Sequence, residues 1–164
     1  MTVSEQVMQA LAREFALPDP GTLTVVIARV ITAAVLGGVL GMDRERKGRA
    51  AGLKTHVLVA IGSALFVLAP LVAGVEAADV TRVMQGIVSG IGFLGAGAIL
   101  KLEEGKRVEG VTTAAGIYMT SAIGMTAGMG LEMVALVTTM AALIVFSVLP
   151  RLLRKHAGGE LEDE

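Results

Sequence analysis

The sequence contains no cysteine and no tryptophan, and only 3% of its 164 residues are aromatic. The absence of cysteine excludes disulfide bonds, thiolate metal sites, cysteine nucleophiles and thiol redox sensors. The formal net charge is -1, so the chain also lacks the strongly basic field that is typical of nucleic-acid binding. We therefore expect no nucleic-acid partner.

Charge is missing from long segments as well. Residues 111–131 include no charged side chain, and residues 53–75 include only Lys54 and His56 as charged or titratable groups. Hydrophobic residues make up 54% of the chain, and the mean hydropathy is +0.72. Because a bilayer core about 30 Å thick needs about 20 helical residues, these runs predict membrane spans. The expected fold is an all-α polytopic transmembrane bundle with about five spans.

The predicted spans lie near residues 22–41, 55–75, 83–100, 111–128 and 131–149. Before them, Thr2 and Glu5 fit a capping box, which predicts a short amphipathic helix on the membrane surface. Proline and glycine at 18–21 then predict a linker. We expect an interfacial helix and linker at 1–21, a transmembrane domain at 22–150 and a polar cytoplasmic tail at 151–164. The shared apolar face of the first helix carries Val7, Met8, Leu11 and Phe15.

Orientation follows from lysine and arginine, which are retained on the cytoplasmic side of short loops. Basic residues are concentrated in the loops at 42–54 and 101–110 and in the tail after Pro150. The opposite side carries Arg13 and Arg82. This bias predicts an outside N-terminus and a cytoplasmic C-terminus.

The first of these loops mixes paired charges with glycine. Its basic residues are consistent with an anchor that sets the topology and attracts anionic headgroups. A specific contact site for a partner or an ion is the alternative. The candidate functional residues in this segment are Asp43, Arg44, Glu45, Arg46, Lys54, Thr55 and His56.

Arg29 is the only charged residue well inside a predicted span. An arginine at this depth costs several kcal/mol unless it finds a partner or extends to the interface. Two placements follow: the side chain extends to the outer surface, or it faces inward and bonds to helix carbonyls or to hydroxyls of the fourth span.

The third span is rich in glycine. Gly86 with Gly90, and Gly92 with Ala96, have the spacing that lets helix backbones approach closely, either within the bundle or in a homodimer. The pattern Gly-x-Gly-x-x-Gly at 90–95 also matches a dinucleotide fingerprint, but no strand precedes it, so we discard that match. The candidate residues here are Ser89, Gly90, Gly92, Gly95 and Gly97.

The fourth span carries hydroxyl groups, with Thr112 and Thr113 at its start. Packing is one interpretation and a polar pathway is the other. No acidic residue lies in a span core, so the boundary carboxylates could bind a cation only at the cytoplasmic surface. Neither His56 nor His156 has a nucleophile and an orienting acid beside it, so we expect no enzyme, no cofactor and no metal site. The boundary carboxylates are Asp43, Glu45, Glu103 and Glu109.

Four ordered segments, 41–46, 51–60, 88–97 and 110–116, resemble the signature blocks of the MgtC/SapB (YhiD-like) family of bacterial inner-membrane proteins. The resemblance covers residues 28–130. It implies a multi-pass plasma-membrane protein linked to low magnesium, acid stress and, in pathogens, survival inside phagocytes. It also implies regulation through membrane partners, among them the proton-driven ATP synthase, rather than transport. The chain differs from common family members in having Asp43 in place of glutamate.

These observations lead to two functional hypotheses. The first is a non-enzymatic regulator of stress adaptation that contacts membrane lipids and either another inner-membrane protein or a second copy of itself. The alternative is an ion or small-solute transporter or channel subunit.

Overall fold

The computed structural model describes residues 2–101 and 108–150, and helices make up nearly all of that part. The predicted tail at 151–164 and the loop residues Glu103, Lys106 and Arg107 lie outside the described residues. The helices are α1 (Val3–Glu14), α2 (Pro20–Arg46), α3 (Leu53–Val72), α4 (Ala77–Gly97), α5 (Val111–Gly128) and α6 (Glu132–Leu143). A π-helical segment, Ile144–Val148, continues α6.

The capping box of α1 is present as predicted. The Glu5 amide donates to the Thr2 hydroxyl, and the Thr2 amide donates to the Glu5 carboxylate at 2.8 Å. The predicted linker at 18–21 is shorter than expected, because α2 already begins at Pro20. Proline suits a first helical position, and Asp19 caps the helix by accepting a hydrogen bond from the Thr22 amide. Hydrogen bonds from Thr22 lower the pKa of Asp19.

The predicted loop at 42–54 is also largely helical. α2 continues to Arg46 and α3 begins at Leu53, so only residues 47–52 connect them. Asp43 and Lys47 form an ion pair one turn apart, which supports the helix beyond the apolar run. Hydropathy therefore predicted where the apolar part of α2 ends, whereas the helix itself continues to Arg46.

α4 starts at Ala77, six residues before the predicted span. Its first turns carry the exposed charges of Asp79 and Arg82, so the hydropathy of this part of the helix is too low to be predicted as part of a span. It ends at Gly97, and Leu100–Lys101 (β1) then pairs antiparallel with Val108–Glu109 (β2). Two predicted spans therefore extend past the C-terminal ends of their helices: 83–100 runs beyond Gly97 to the first residue of β1, and 55–75 runs beyond Val72.

The predicted tight turn between the last two helices is confirmed. Gly130 has φ +80°, a left-handed conformation that favours glycine, and α6 follows from Glu132. The predicted single helix at 131–149 is instead an α-helix that changes to π-helical hydrogen bonding at Ile144.

α3 and α5 form the centre of the bundle: α3 packs against α2, α4 and α5, and α5 also contacts α2, α4 and α6. Small residues allow these contacts to be close. A Cβ atom added to Gly37 of α2 would lie 2.6 Å from the Ala60 Cβ, and one added to Gly124 of α5 would lie 2.9 Å from the Ala60 Cα. The backbones therefore meet almost directly, as is common in membrane helix pairs. The surrounding apolar core includes Ala33, Leu36, Leu40, Ala64, Ile123 and Ala127.

Two helices in the described part, α2 and α3, have the length and hydropathy needed to cross a membrane. Polar residues explain why α4 and α5 do not reach the same hydropathy: α4 begins with charged turns, and α5 is rich in glycine, serine and threonine. The segment from Glu132 to Val148 is apolar but shorter.

Candidate functional site

Arg44 is a candidate residue whose burial the sequence did not predict. Although predicted to lie in a loop, it occupies the last turns of α2, and only 2% of its surface is exposed. Its Nε donates to Asp43 at 3.1 Å, and its guanidinium lies 4.2 Å from the centroid of the Phe146 ring. The side chain is therefore held by a carboxylate and by an aromatic face, both of which stabilise a desolvated cation.

The π-helical segment supplies further partners for this arginine. Phe146 lies within it, and its carbonyl oxygen accepts hydrogen bonds from Arg44 at 3.2 Å and Lys47 at 2.8 Å. The Ser147 hydroxyl donates to Asp43 at 2.6 Å. A π-helical turn changes the helical hydrogen-bond register, which suits a carbonyl that bonds outside its own helix. We call Asp43, Arg44, Lys47, Phe146 and Ser147 the Arg44 cluster.

Sequence reasoning could not have found Phe146 and Ser147, because they lie about a hundred positions from Arg44 along the chain. Neither residue belongs to a motif, and a single phenylalanine or serine near the end of a span does not indicate a functional site. Only packing of α6 against α2 brings them together.

Glu45 and His56 shape the connection next to this cluster. The Glu45 carboxylate accepts a hydrogen bond from the Leu53 amide at 2.6 Å and so satisfies a free donor at the start of α3. The partner of Glu45 is therefore a backbone amide of the following helix.

His56 is 1% exposed. Its Nδ1 donates to the Gly52 carbonyl at 2.9 Å, which leaves Nε2 as an acceptor. Within the described residues Nε2 has no hydrogen-bond partner. Glycine opposite this atom leaves it room, since a Cβ at Gly116 would lie 3.4 Å from Nε2. The remaining candidates of this segment, Arg46, Lys54 and Thr55, are exposed.

Arg29 lies at the other end of α2 and is half-buried. Its Nη1 donates to the carbonyl oxygen of Gly128, the last residue of α5, at 3.0 Å. The inward placement, bonded to a helix carbonyl, is thus the one the structure adopts. A Cβ at Gly130 would lie 3.0 Å from the Arg29 Nε, so the guanidinium packs closely over the α5–α6 turn.

The glycines of α4 differ from those of the bundle core. Gly86, Gly90, Gly92 and Gly97 are exposed, with no atom within 4 Å of an added Cβ. Only Gly95 is packed, against Ala114 of α5. Of the two alternatives left open by the sequence, packing inside the bundle does not apply to Gly86, Gly90 and Gly92, and contact with a second copy stays a prediction. Ser89 is exposed on the same helix.

The hydroxyl groups of α5 serve packing. Thr113 is buried and Thr112 exposed. Thr120 donates to the Gly116 carbonyl at 2.9 Å, and Ser121 shares a 2.8 Å hydrogen bond with Ser63 of α3. Thr120 and Thr126 both bond to carbonyl groups of their own helix, which favours packing over a continuous polar pathway.

No group of three or more potential metal ligands occurs among the residues that the structure describes. Of the boundary carboxylates, Asp43 binds three side-chain donors and Glu45 binds a backbone amide. Glu109 is exposed at the end of β2, and Glu103 lies outside the described residues. The Asp43 carboxylate therefore binds protein side chains and not a metal ion in this arrangement.

Comparison with known proteins assigns the chain to a family. The MgtC family matches residues 30–155, a range that includes the Arg44 cluster but not Arg29. The chain belongs to the MgtC family. It is a membrane protein of this family.

Three relatives show how far the likeness extends. Protein SrpB of Synechococcus elongatus is 42% identical over 137 residues, covering 77% of this chain and 75% of SrpB. YhiD of Escherichia coli K12, whose name proposes magnesium transport for it, is 38% identical, covering 77% of this chain and 61% of YhiD. Protein MgtC of Brucella abortus is 46% identical, covering 71% of this chain and 48% of its own length. The chain thus spans about half to three quarters of these MgtC-family proteins, and no solved structure matches it.

Proposed function

We propose that this MgtC-family chain spans the bacterial inner membrane five times, with its N-terminus outside. The five helices α2 to α6 follow one another through short connections, which supports this count. Basic residues near the Arg44 end of the bundle, Arg46, Lys47, Arg49 and Lys54, support a cytoplasmic position for that end. α1 carries only exposed residues, which is consistent with a helix on the outer membrane surface.

Within this membrane we propose a non-enzymatic regulator of adaptation to low magnesium and acid, which acts by contact with another membrane protein or a second copy of itself. The exposed face of α4 is the observation that carries this proposal. We call the residues Gly86, Gly90, Phe93 and Gly97 the α4 face; their spacing places them on one side of the helix.

The α4 face has the properties of an unfilled helix contact. Its three glycines meet no other atom, and Phe93 is 83% exposed. Beside it, α3 and α4 enclose an apolar groove of about 690 Å³, lined in part by Gly62, Gly86 and Gly90. Because helices in lipid associate mainly through close van der Waals packing, glycines of this kind favour the approach of a further helix.

Single-cysteine cross-linking tests this contact directly, because the chain contains no native cysteine. Gly90→Cys in native membranes, oxidised and analysed by intact mass, is expected to give a disulfide-linked product. A mass of twice the chain identifies a second copy, and another mass identifies a cysteine-bearing partner. Val137→Cys is the matched control, because Val137 is similarly exposed on α6, outside the proposed contact.

A protein that stays monomeric with Gly90→Cys, and elutes without partners after solubilisation, would contradict the contact. The regulatory role requires a further result. In a strain lacking the gene, the wild-type chain is expected to restore growth in low magnesium, while a folded Gly90→Leu variant does not. Equal restoration of growth by the wild-type chain and by Gly90→Leu would show that the α4 face is not needed for the function.

Transport is the second candidate, favoured by the name of the YhiD relative. Purified chain in liposomes distinguishes it. Magnesium flux that depends on the protein and is abolished by Arg29→Ala would replace the regulatory proposal with a carrier. No flux above that of empty liposomes is the expected result.

A further inference from the structure

Arg29 faces a crevice at the end of the bundle where α2 begins, α3 ends and α5 turns into α6. The crevice has a volume of about 490 Å³. Two residues with polar side chains line it, Arg29 and Thr22, and its remaining walls include Val25, Leu71, Val72 and Met129. It is therefore amphipathic, with a cationic group beside apolar walls.

The charge of Arg29 is not neutralised within the described part of the chain. The one hydrogen bond that the guanidinium makes there runs to the neutral carbonyl of Gly128, and no carboxylate lies within ion-pair distance. A guanidinium has five N–H donors, so most remain available. A cation among apolar side chains is stabilised by an anionic partner, and the planar fork of arginine suits the oxygens of a phosphate.

We propose that this crevice binds a membrane phospholipid. Its headgroup phosphate pairs with Arg29 and lies beside Thr22, and one acyl chain follows the wall formed by Leu71, Val72 and Val25. Apolar walls favour a lipid over a free anion, because a hydrated anion gains nothing from them. The Gly128 carbonyl and the tightly packed Gly130 turn fix the position of the guanidinium beside the crevice. The site does not depend on the α4 face.

Native mass spectrometry of the full chain, titrated with dioleoylphosphatidylglycerol in detergent, tests the site. The wild-type chain is expected to retain one lipid more tightly than the rest. Arg29→Gln is expected to weaken that lipid about tenfold, the usual scale for losing a charge-assisted hydrogen bond. Arg82→Gln is the matched control: Arg82 lies in the first two turns of α4 at the same end of the bundle, but it is 84% exposed, so its loss should leave this binding unchanged.

A second variant keeps the proposal testable if Arg29→Gln fails to fold. Val72→Trp fills the crevice and retains the arginine, so it is also expected to release the lipid. Lipid retention equal to wild type in either folded variant would overturn the proposal. So would inorganic phosphate that displaces the lipid and raises the melting temperature of the protein as much as the lipid does, since the ligand would then be a free anion.

Discussion

α4 and α5 carry the same glycine spacing but use it differently. Gly86 and Gly90 of α4 meet no other atom, whereas Gly124 and Gly128 of α5 pack directly against Ala60 and Ala64 of α3. The difference lies in the partner: α3 presents small residues at the same four-residue spacing opposite α5. A small-xxx-small pair therefore permits a close approach, and the opposing surface decides whether it occurs.

Leucine substitution should separate the two helices most strongly. Gly124→Leu inserts a side chain into the α3 backbone, where even a Cβ would lie 2.9 Å from the Ala60 Cα, so we expect loss of folded protein. Gly90→Leu enters open space and should leave the monomer folded. Size-exclusion profiles and helical circular dichroism in detergent measure both. A monodisperse, fully helical Gly124→Leu protein would show that this interface can separate without loss of the fold.

The same comparison applies to charge. Arg44 is 2% exposed in the packed part of the bundle, and Arg82 is 84% exposed on α4. We expect Arg44→Gln to lower the free energy of unfolding by about 3 kcal/mol, because Asp43 loses a buried partner. Arg82→Gln should change it by less than about 1 kcal/mol. Unfolding by sodium dodecyl sulfate in mixed micelles gives both values, and equal effects would contradict the packing of the Arg44 cluster.

The smallest expected effect concerns the hydroxyl pair between α3 and α5. Ser63 and Ser121 share a buried hydrogen bond of 2.8 Å. A double-mutant cycle with Ser63→Ala and Ser121→Ala should give a coupling of about 0.6 kcal/mol, as for other interhelical bonds in membranes. Ser89→Ala on the exposed side of α4 is the control, with no expected change. Zero coupling would mean that each hydroxyl finds an equally good partner when alone.

The helical elements were predictable because apolar runs, proline and glycine are local signals. Hydropathy located α2, α3 and α5, and the Thr2 capping box and Gly130 turn were also right. Helix ends were predicted less well where polar residues continue a helix past its apolar run, as at Asp43 and Asp79. Hydropathy measures partition into lipid, whereas backbone hydrogen bonding decides where a helix stops.

The candidate site was only partly predictable. Arg29 was identified because a charge inside an apolar run is conspicuous. A helix carbonyl was one of the two kinds of partner predicted for it, and the structure shows the carbonyl of Gly128. Arg44 was assigned to a loop because its neighbours are charged, yet packing against Phe146 buries it. A long-range contact of this sort leaves no trace in local composition.

The sequence by itself determined that this chain forms apolar helices, where they turn and which family it resembles, because span length, breakers and short motifs are encoded within each segment. Tertiary structure alone decided which arginine is buried and which glycines remain open. Those outcomes depend on what lies opposite: Phe146 and Asp43 for Arg44, the Gly128 carbonyl for Arg29, and small residues of α3 for the glycines of α5.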